Sequence, residues 1–298
     1  MSSTSDLSRV GVVIVTYASA GHITGCLDSL VDAGLGAVVV VDNDSPDDTV
    51  DVLRRRTDPS LVVVEQGNIG FGGGCNTGAR ALPPECDLVL FCNPDARIAA
   101  QDIGRLVQHL LDDPRRGLVG PRLHCGGSPL TSAGSAPRLL TEVRPLLPGA
   151  AGRLLPRRQL PPTADQAVEV GYVEGACMLA RRSAFDEVGG FDEGFFLCFE
   201  EMDLATRMRD LGWRVELVPE AWAEHCPGQS RSSIPFAGRD HALVSLLRYL
   251  QLHEGARAAR AYARCARASF WLRVRTGRMP RVDYERLRTV LVTGRTGP

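Results

Sequence analysis

The chain contains no lysine: all 34 basic residues among its 298 are arginine. That excludes Schiff-base chemistry on a lysine and a phosphate loop built around one. No apolar run approaches the ~20 residues that a membrane-spanning helix needs; the longest lie near residues 10–15 and 37–41. The opening MSSTSDLSR lacks the charged-then-apolar layout of a secretion signal. The nine cysteines are scattered, odd in number and without a CxxC pair, which argues against a zinc site or a disulfide scaffold. A cytoplasmic protein with reduced, mostly buried thiols is the expectation.

Charge is nearly absent in sum and present in detail. The net charge is −1, yet from residue 236 onward thirteen arginines face four acids. The body before that point therefore carries about ten negative charges in excess and the tail about nine positive ones. Such a split can mark an interaction segment for a polyanion. In the tail, Leu243, Leu246, Leu247 and Leu250 form an i, i+3, i+4, i+7 stripe. After Gly255 a second helix is expected, with Arg257, Arg260, Arg264 and Arg267 on one side. A solvated helical face and a peripheral contact with an anionic membrane both suit that stripe. Nucleic-acid binding is not expected, because the body is acidic and no recognised module occurs.

The first 120 residues alternate strand and helix signals. Continuous apolar runs at 10–15 and 37–41 read as buried strands, the first on both faces, and those at 61–64 and 88–92 as a third and a fourth strand. Helical patterns lie between them, over 23–31, over 47–56, and after a glycine-rich turn at 67–74. This βαβα rhythm predicts a mostly parallel sheet flanked by helices. Ligands of such sheets bind beyond the carboxyl ends of the strands, and polar clusters stand at each of those ends. Residues 121–170 are rich in proline, glycine and serine. They form either a surface excursion or a lid over an acceptor. A helix over 200–211 and a short strand over 214–218 follow.

Four clusters have the chemistry of a site. Asp95 closes the fourth strand in Asn93-Pro94-Asp95, where it is either a turn residue or a ligand for a hard divalent cation such as Mg²⁺ or Mn²⁺. Asp42 ends the second strand too early to cap the next helix, which favours a hydrogen bond to a nucleoside. The run NIGFGGGCNTG at 68–78 looks like a phosphate loop, but it does not match G-x-G-x-x-G and does not follow the first strand. A dehydrogenase is disfavoured, and so is a nucleotidyltransferase. Glu200, Glu201 and Asp203 open a helix just after the aromatic run FDEGFFLCF, which could wall a site. Acids in a first helical turn also suit the helix dipole alone.

Taken in order, eight segments resemble the family-two glycosyltransferases of the A-type nucleotide-sugar fold, with the bacterial rhamnosyltransferase-like members nearest. They are VGVVIVTY, VVVVDNDSPD, NIGFGGGCNTG, LVLFCNPDA, GACMLARRSAF, VGGFDEGFF, EEMDLATRMRDLGW and His225-x-x-Gly228-x-Ser230, spanning about 10–230. The resemblance implies an α/β A-type glycosyltransferase fold with a Rossmann-like, mostly parallel central sheet and a C-terminal helical extension. It divides the chain into a catalytic domain over 1–235 and a basic helical extension over 236–298. Within the former, a nucleotide-sugar half covers about 8–120 and an acceptor half about 121–235.

The resemblance also implies roles. Thr16, Tyr17 and Asp42 would hold the nucleoside, and Asn76 would lie near the base or diphosphate. Asp95 would take the metal position of the Asp-x-Asp signature, whose first Asp is Asn93 here. His225 would approach the cation or the diphosphate. Glu201 would be the general base, in a position where the family more often has Asp, with Gly175, Glu200 and Asp203 supporting the acceptor region. The implied activity is inverting transfer of a sugar, foremost rhamnose from dTDP-L-rhamnose, with a UDP-sugar the other donor. The acceptor hydroxyl would sit on a lipid-linked glycan or a small molecule, in cell-wall, polysaccharide or natural-product glycoside synthesis. A non-catalytic nucleotide-sugar-binding protein on the same fold is the competing expectation.

Overall fold

The computed structural model describes residues 7–147, 149–156, 165–226 and 237–296. The first half runs β1 (Val10–Thr16), α1 (Ile23–Asp28), β2 (Ala37–Asn43), α2 (Thr49–Arg54), β3 (Leu61–Gln66), α3 (Phe71–Ala81), β4 (Leu88–Cys92), β5 (Ala96–Ile98) and α4 (Ala100–Asp112). The second half adds β6 (Arg116–Cys125), β7 (Ser128–Pro129), β8 (Ala133–Gly134), α5 (Leu139–Val143), β9 (Val168–Glu169), β10 (Tyr172–Val173), β11 (Cys177–Arg181), α6 (Arg182–Glu187), α7 (Glu200–Asp210) and β12 (Arg214–His225). The tail is α8 (Ala237–His253), α9 (Ala256–Arg275) and α10 (Arg281–Thr293), one helix more than the leucine and arginine stripes announce.

The main path of the sheet is β3-β2-β1-β4-β11-β6-β12-β5. Strands β1 to β4 are parallel to one another, β11 is antiparallel to both β4 and β6, and β12 returns parallel to β6. The expected A-type architecture is therefore present, and β11 is its one reversed central strand. Every residue of β1 and β2 is buried. Alternate side chains serve opposite layers, as a period of two requires. Val13, Val15, Val39 and Val41 pack with Phe91, Phe185 and Met202, while Val12, Ile14, Val38 and Val40 pack with Ile23, Ile103 and Leu106.

The glycine-rich run is not a turn that precedes a helix. Gly72, Gly73 and Gly74 already belong to the first turn of α3. Their small size serves packing. A Cβ on Gly78 would stand 2.3 Å from a methyl of Val13, and one on Gly74 2.7 Å from a methyl of Val15. Gly70, at φ +86°, lies against the backbone of Phe196, whose carbonyl accepts the Phe71 N–H at 3.0 Å. The run brings α3 onto β1 and pins the loop before α7.

The tail shares the core of the sheet-bearing body. Leu243, Leu246, Tyr249 and Leu250 of α8 join the apolar cluster that holds Phe199, Met202 and Ala205. Part of the loop-rich region rests on the tail in turn: Ser269 donates to the Leu146 carbonyl at 2.7 Å and Arg273 to that of Pro145 at 2.9 Å. Gly228, Ser230 and residues 157–164 lie outside the described residues.

The expectation of wholly reduced thiols is overturned at one pair. Cys125 and Cys226 form a disulfide, with Cα atoms 4.9 Å apart. The sheet register explains it: Glu224 stands opposite His124 in the parallel β6–β12 pair, so the residues that follow run on side by side. Widely spaced cysteines carry no trace of such a register in sequence.

Because α3 meets β1 glycine to valine, Gly78→Ala should lower stability by about 1–3 kcal/mol, the usual cost of overpacking. Urea denaturation checks this, and an unchanged midpoint would contradict the close approach.

Candidate functional site

The carboxyl ends of β1, β2 and β4 lie side by side, because Thr16 pairs with Asp42 and Ile14 with Cys92. Between β1 and β2, Asp42 is 2% exposed and fully engaged. It accepts from the Thr16 hydroxyl at 2.7 Å, the Ser45 hydroxyl at 2.6 Å and the Ser45 N–H at 2.9 Å. Ser45 in turn receives the Ala18 N–H at 3.0 Å. Asp42 thus builds the turn after its own strand and ties it to the loop after β1. Tyr17 sits on that loop with its side chain partly open to solvent.

Asn93-Pro94-Asp95 turns from β4 into β5. The Asn93 N–H donates to the Ala176 carbonyl at 2.9 Å, and the Asn93 carbonyl accepts from the Cys26 thiol at 3.4 Å. The Asp95 carboxylate lies 3.4 Å from the His225 Nε2, and only 2% of its side chain is exposed. His225 arrives there because β12 pairs antiparallel with β5, His225 opposite Ala96. A carboxylate and an imidazole therefore face each other at the strand end.

The segment after β10 connects this turn to α7. Ala176 holds Asn93, and a Cβ on Gly175 would lie 3.5 Å from the Glu201 Cβ. A larger residue at 175 would crowd the carboxylate. Cys198 and Phe199, at φ +67° and +69°, lead into α7 in the left-handed region. Non-glycine residues there store strain that the surroundings must hold. Glu200, Glu201, Met202 and Asp203 are all buried, so the acids are not a solvated helix end. Burial, and then the nearby Glu200 carboxylate, push the Cys75 thiol well up, which leaves it a small apolar filler rather than a nucleophile.

Helix α7 is held from behind by α8. Asp203 accepts from Arg207 at 2.8 Å and pairs with His253 Nε2 at 2.8 Å. Thr206 shares a 2.8 Å hydrogen bond with the Tyr249 hydroxyl. Ser245 donates to the Leu197 carbonyl at 2.9 Å, and Arg248 binds Asp192 at 2.7 Å.

Residues 11–189 match the family described as Glycosyl transferase family 2. The chain belongs to this family of glycosyltransferases. It is similar to an N-acetylglucosaminyl-diphospho-decaprenol L-rhamnosyltransferase of Mycobacterium tuberculosis, 32% identical over 244 residues that cover 75% of this chain and 78% of the relative. It is also similar to the rhamnosyltransferase WbbL of Escherichia coli K12, 26% identical over 252 residues, 81% of this chain and 92% of that one. A solved mannosyltransferase from Pyrobaculum calidifontis, in complex with GDP-Man and Mn²⁺, shares the fold at a TM-score of 0.56 and 20% identity, covering 96% of this chain and 79% of that one.

In this glycosyltransferase the sequence-derived residues divide into groups. Asp95 and His225 meet, and Gly175 joins Glu201 to the loop that holds Asn93. Thr16, Tyr17 and Asp42 gather on the neighbouring strand ends. Asn76 is bound within the protein. Its amide donates to the Phe191 carbonyl at 2.9 Å and to Glu193 at 3.0 Å, and its oxygen accepts the Phe191 N–H at 2.9 Å. It fastens α3 to the loop before α7. The aromatic run is likewise mostly core: Phe191, Phe195 and Phe199 are buried, and Phe196 is exposed and stacked on His241. Asp203 supports α7 through His253 and Arg207. His253, Tyr249 and Arg248 escaped the sequence reading, because they lie in the tail where only the leucine stripe signalled a buried face.

The α7 clamp gives two expectations. His253→Ala should cost about 2 kcal/mol, since a charged hydrogen bond to a buried carboxylate is lost; chemical denaturation measures it. For Asp192, burial alone would raise the carboxyl, but the Gly194 N–H and the Arg248 guanidinium outweigh it and hold the group below its ordinary 3.8. A depressed carboxylate contributes stability above its unfolded pKa and loses it as pH falls through the folded one. This partly exposed pair should therefore add about 0.5–1 kcal/mol at pH 7 and little below about pH 3. Arg248→Ala should remove the difference, which urea titrations at the two pH values read.

Proposed function

We propose that this glycosyltransferase moves L-rhamnose from a nucleoside-diphosphate donor, foremost dTDP-L-rhamnose, to a hydroxyl of a lipid-linked glycan, with inversion at the anomeric carbon. The observation that carries the reading is the Asp95–His225 pair, joined to Glu201 through the segment at 174–176. The donor and acceptor follow those of the relatives, two of which are rhamnosyltransferases and one of which acts on an N-acetylglucosaminyl-diphospho-decaprenol. A UDP-sugar and a small-molecule acceptor are the alternatives the same site would serve.

The donor set fits a hard divalent cation. One buried carboxylate and one imidazole leave most coordination positions to water and to diphosphate oxygens, the usual arrangement for Mg²⁺. Mn²⁺ accepts the same ligands. Asp95 and His225 would hold the ion, which supplies charge neutralisation on the departing diphosphate. Among the described residues no cluster of three or more metal-ligating side chains occurs.

The chain's own groups supply the rest. The Glu201 carboxylate takes the proton from the acceptor hydroxyl. The new bond forms between that oxygen and the anomeric carbon as the bond to the diphosphate oxygen breaks, and the nucleoside diphosphate leaves. Direct displacement needs a single base beside the acceptor. Glu201 stands on a helix whose first turn is buried and held from behind by His253. That rigid backing suits a group that must stay within hydrogen-bond reach of one hydroxyl. Asp42, already saturated by Thr16 and Ser45, shapes the nucleoside end.

Asp95→Ala and Glu201→Gln should each reduce transfer by about 10²–10⁴-fold with unchanged circular dichroism. Wild-type turnover in either variant would defeat the assignment. In a thermal-shift panel with Mn²⁺, the true donor at a hundred times its Kd should raise the melting temperature by about 5–10 °C. A larger shift with a UDP-sugar than with dTDP-L-rhamnose would replace the donor.

A further inference from the structure

We infer that the outward face of α9 docks the enzyme on an anionic lipid bilayer, an inference that rests on the lipid-linked acceptor proposed above. At 3.6 residues per turn, Arg257, Arg260, Arg264, Arg267, Trp271 and Arg275 fall within about 80° of the helix circumference. Ala259, Tyr262 and Ala266, on the opposite side, are buried against the protein. The six are exposed. Trp271 stands at the centre of the arc, 49% exposed, with the Arg275 guanidinium 5.0 Å from its ring. Arg264, Arg267, Ala268, Trp271 and Tyr284 of α10 line one open depression of ≈ 400 Å³.

The charge on this face lacks an internal answer. Helix α9 contains no acid over its 20 residues. Among the described residues, no carboxylate forms an ion pair with any of the five arginines of the arc. Elsewhere the chain pairs its arginines closely: Arg286 with Asp240, Arg288 with Glu285, Arg207 with Asp203 and Arg54 with Glu65. Like charges at i, i+3 and i, i+4 destabilise an isolated helix. A row of five therefore works against the helix unless an external anion answers it.

The kind of anion follows from what accompanies the charge. Interfacial helices combine arginine with exposed tryptophan and leucine, the ring sitting at headgroup depth. Here Trp271 is flanked by Leu272, 47% exposed, and Val282 and Val292 of α10 are also exposed. The acidic body, about ten negative charges in excess, would repel a long polyanion wrapping the protein. A flat anionic surface meets the α9 face alone. No helix among the described residues is long and apolar enough to cross the membrane, so surface contact is the geometry that remains for this face.

The test uses the full chain and vesicles of phosphatidylcholine with or without about one-third phosphatidylglycerol. Sedimentation with the anionic vesicles only, reversed by half-molar salt, is expected. Each arginine near such a surface contributes about fivefold in affinity, so Arg264→Ala with Arg267→Ala should weaken binding by about 25-fold. Trp271→Ala should weaken it as well, and Arg54→Ala, on the far smaller helix α2, should leave it unchanged. Equal binding to neutral vesicles, no effect of the double variant, or tighter binding to RNA than to vesicles would each overturn the proposal. Transfer to lipid-linked acceptor dispersed in detergent separates the two readings. If it proceeds without vesicle binding, docking alone fails; if vesicle binding holds while only water-soluble acceptors react, the acceptor assignment fails.

Discussion

A carboxylate taken out of water must be given donors, a cation or a proton. Most of the structure at the carboxyl end of this sheet follows from that constraint. Asp42, Asp95, Glu200, Glu201 and Asp203 are all withdrawn from solvent within one region of the fold. Each sits at an element boundary, where backbone N–H groups and neighbouring side chains are available. Asp42 is answered inside the protein, by Thr16 and Ser45. Asp203 is answered by Arg207 and by His253 from the tail. Asp95 faces His225 at a distance that suits a shared ion. The acids that the fold satisfies internally are scaffolding, and those that face the strand ends carry the proposed chemistry.

The same constraint explains why the tail matters to the catalytic body. Helix α7 carries three buried acids in its first turn and begins after two strained residues. Such a start is stable only if the far side of the helix is held. Helix α8 does this with one imidazole–carboxylate hydrogen bond, one hydroxyl pair and an apolar face. The catalytic family match ends at residue 189, yet the carboxylate proposed as base is positioned by residues near 250. The helix that carries it thus depends on a segment that the motifs do not cover. Beyond α8 the tail changes character: α9 turns its small and aromatic side chains inward and leaves outside a row of arginines with no ion pair among the described residues.

Glycine has a parallel role on the other side of the site. The run at 70–78 has the look of a phosphate cradle, but its missing side chains are filled by protein. Val13 and Val15 occupy the space beside Gly78 and Gly74, and the Phe196 backbone that beside Gly70. With Asn76 fastened to Phe191, α3 becomes the bracket between the first strand and the loop before α7.

The chain by itself determined the fold class and the neighbourhood of the site. Uninterrupted valine runs read as strands, buried on both faces in β1 and β2 and half-open in the edge strand β3, and their regular alternation with helical patterns leaves few topologies besides a parallel sheet. Acids placed directly after such runs are bound to collect at one end of it, so Asp42 and Asp95 were legible. Contacts between distant segments were not. Whether Asn76 meets Phe191, whether Cys125 meets Cys226, and whether the tail braces α7 depend on strand register and helix packing. A single strand slip or helix rotation reverses each of those answers without changing the local pattern. Only the tertiary structure decided them, because a hydrogen bond or a disulfide requires two groups within a few ångströms, and spacing along the chain carries no such distance.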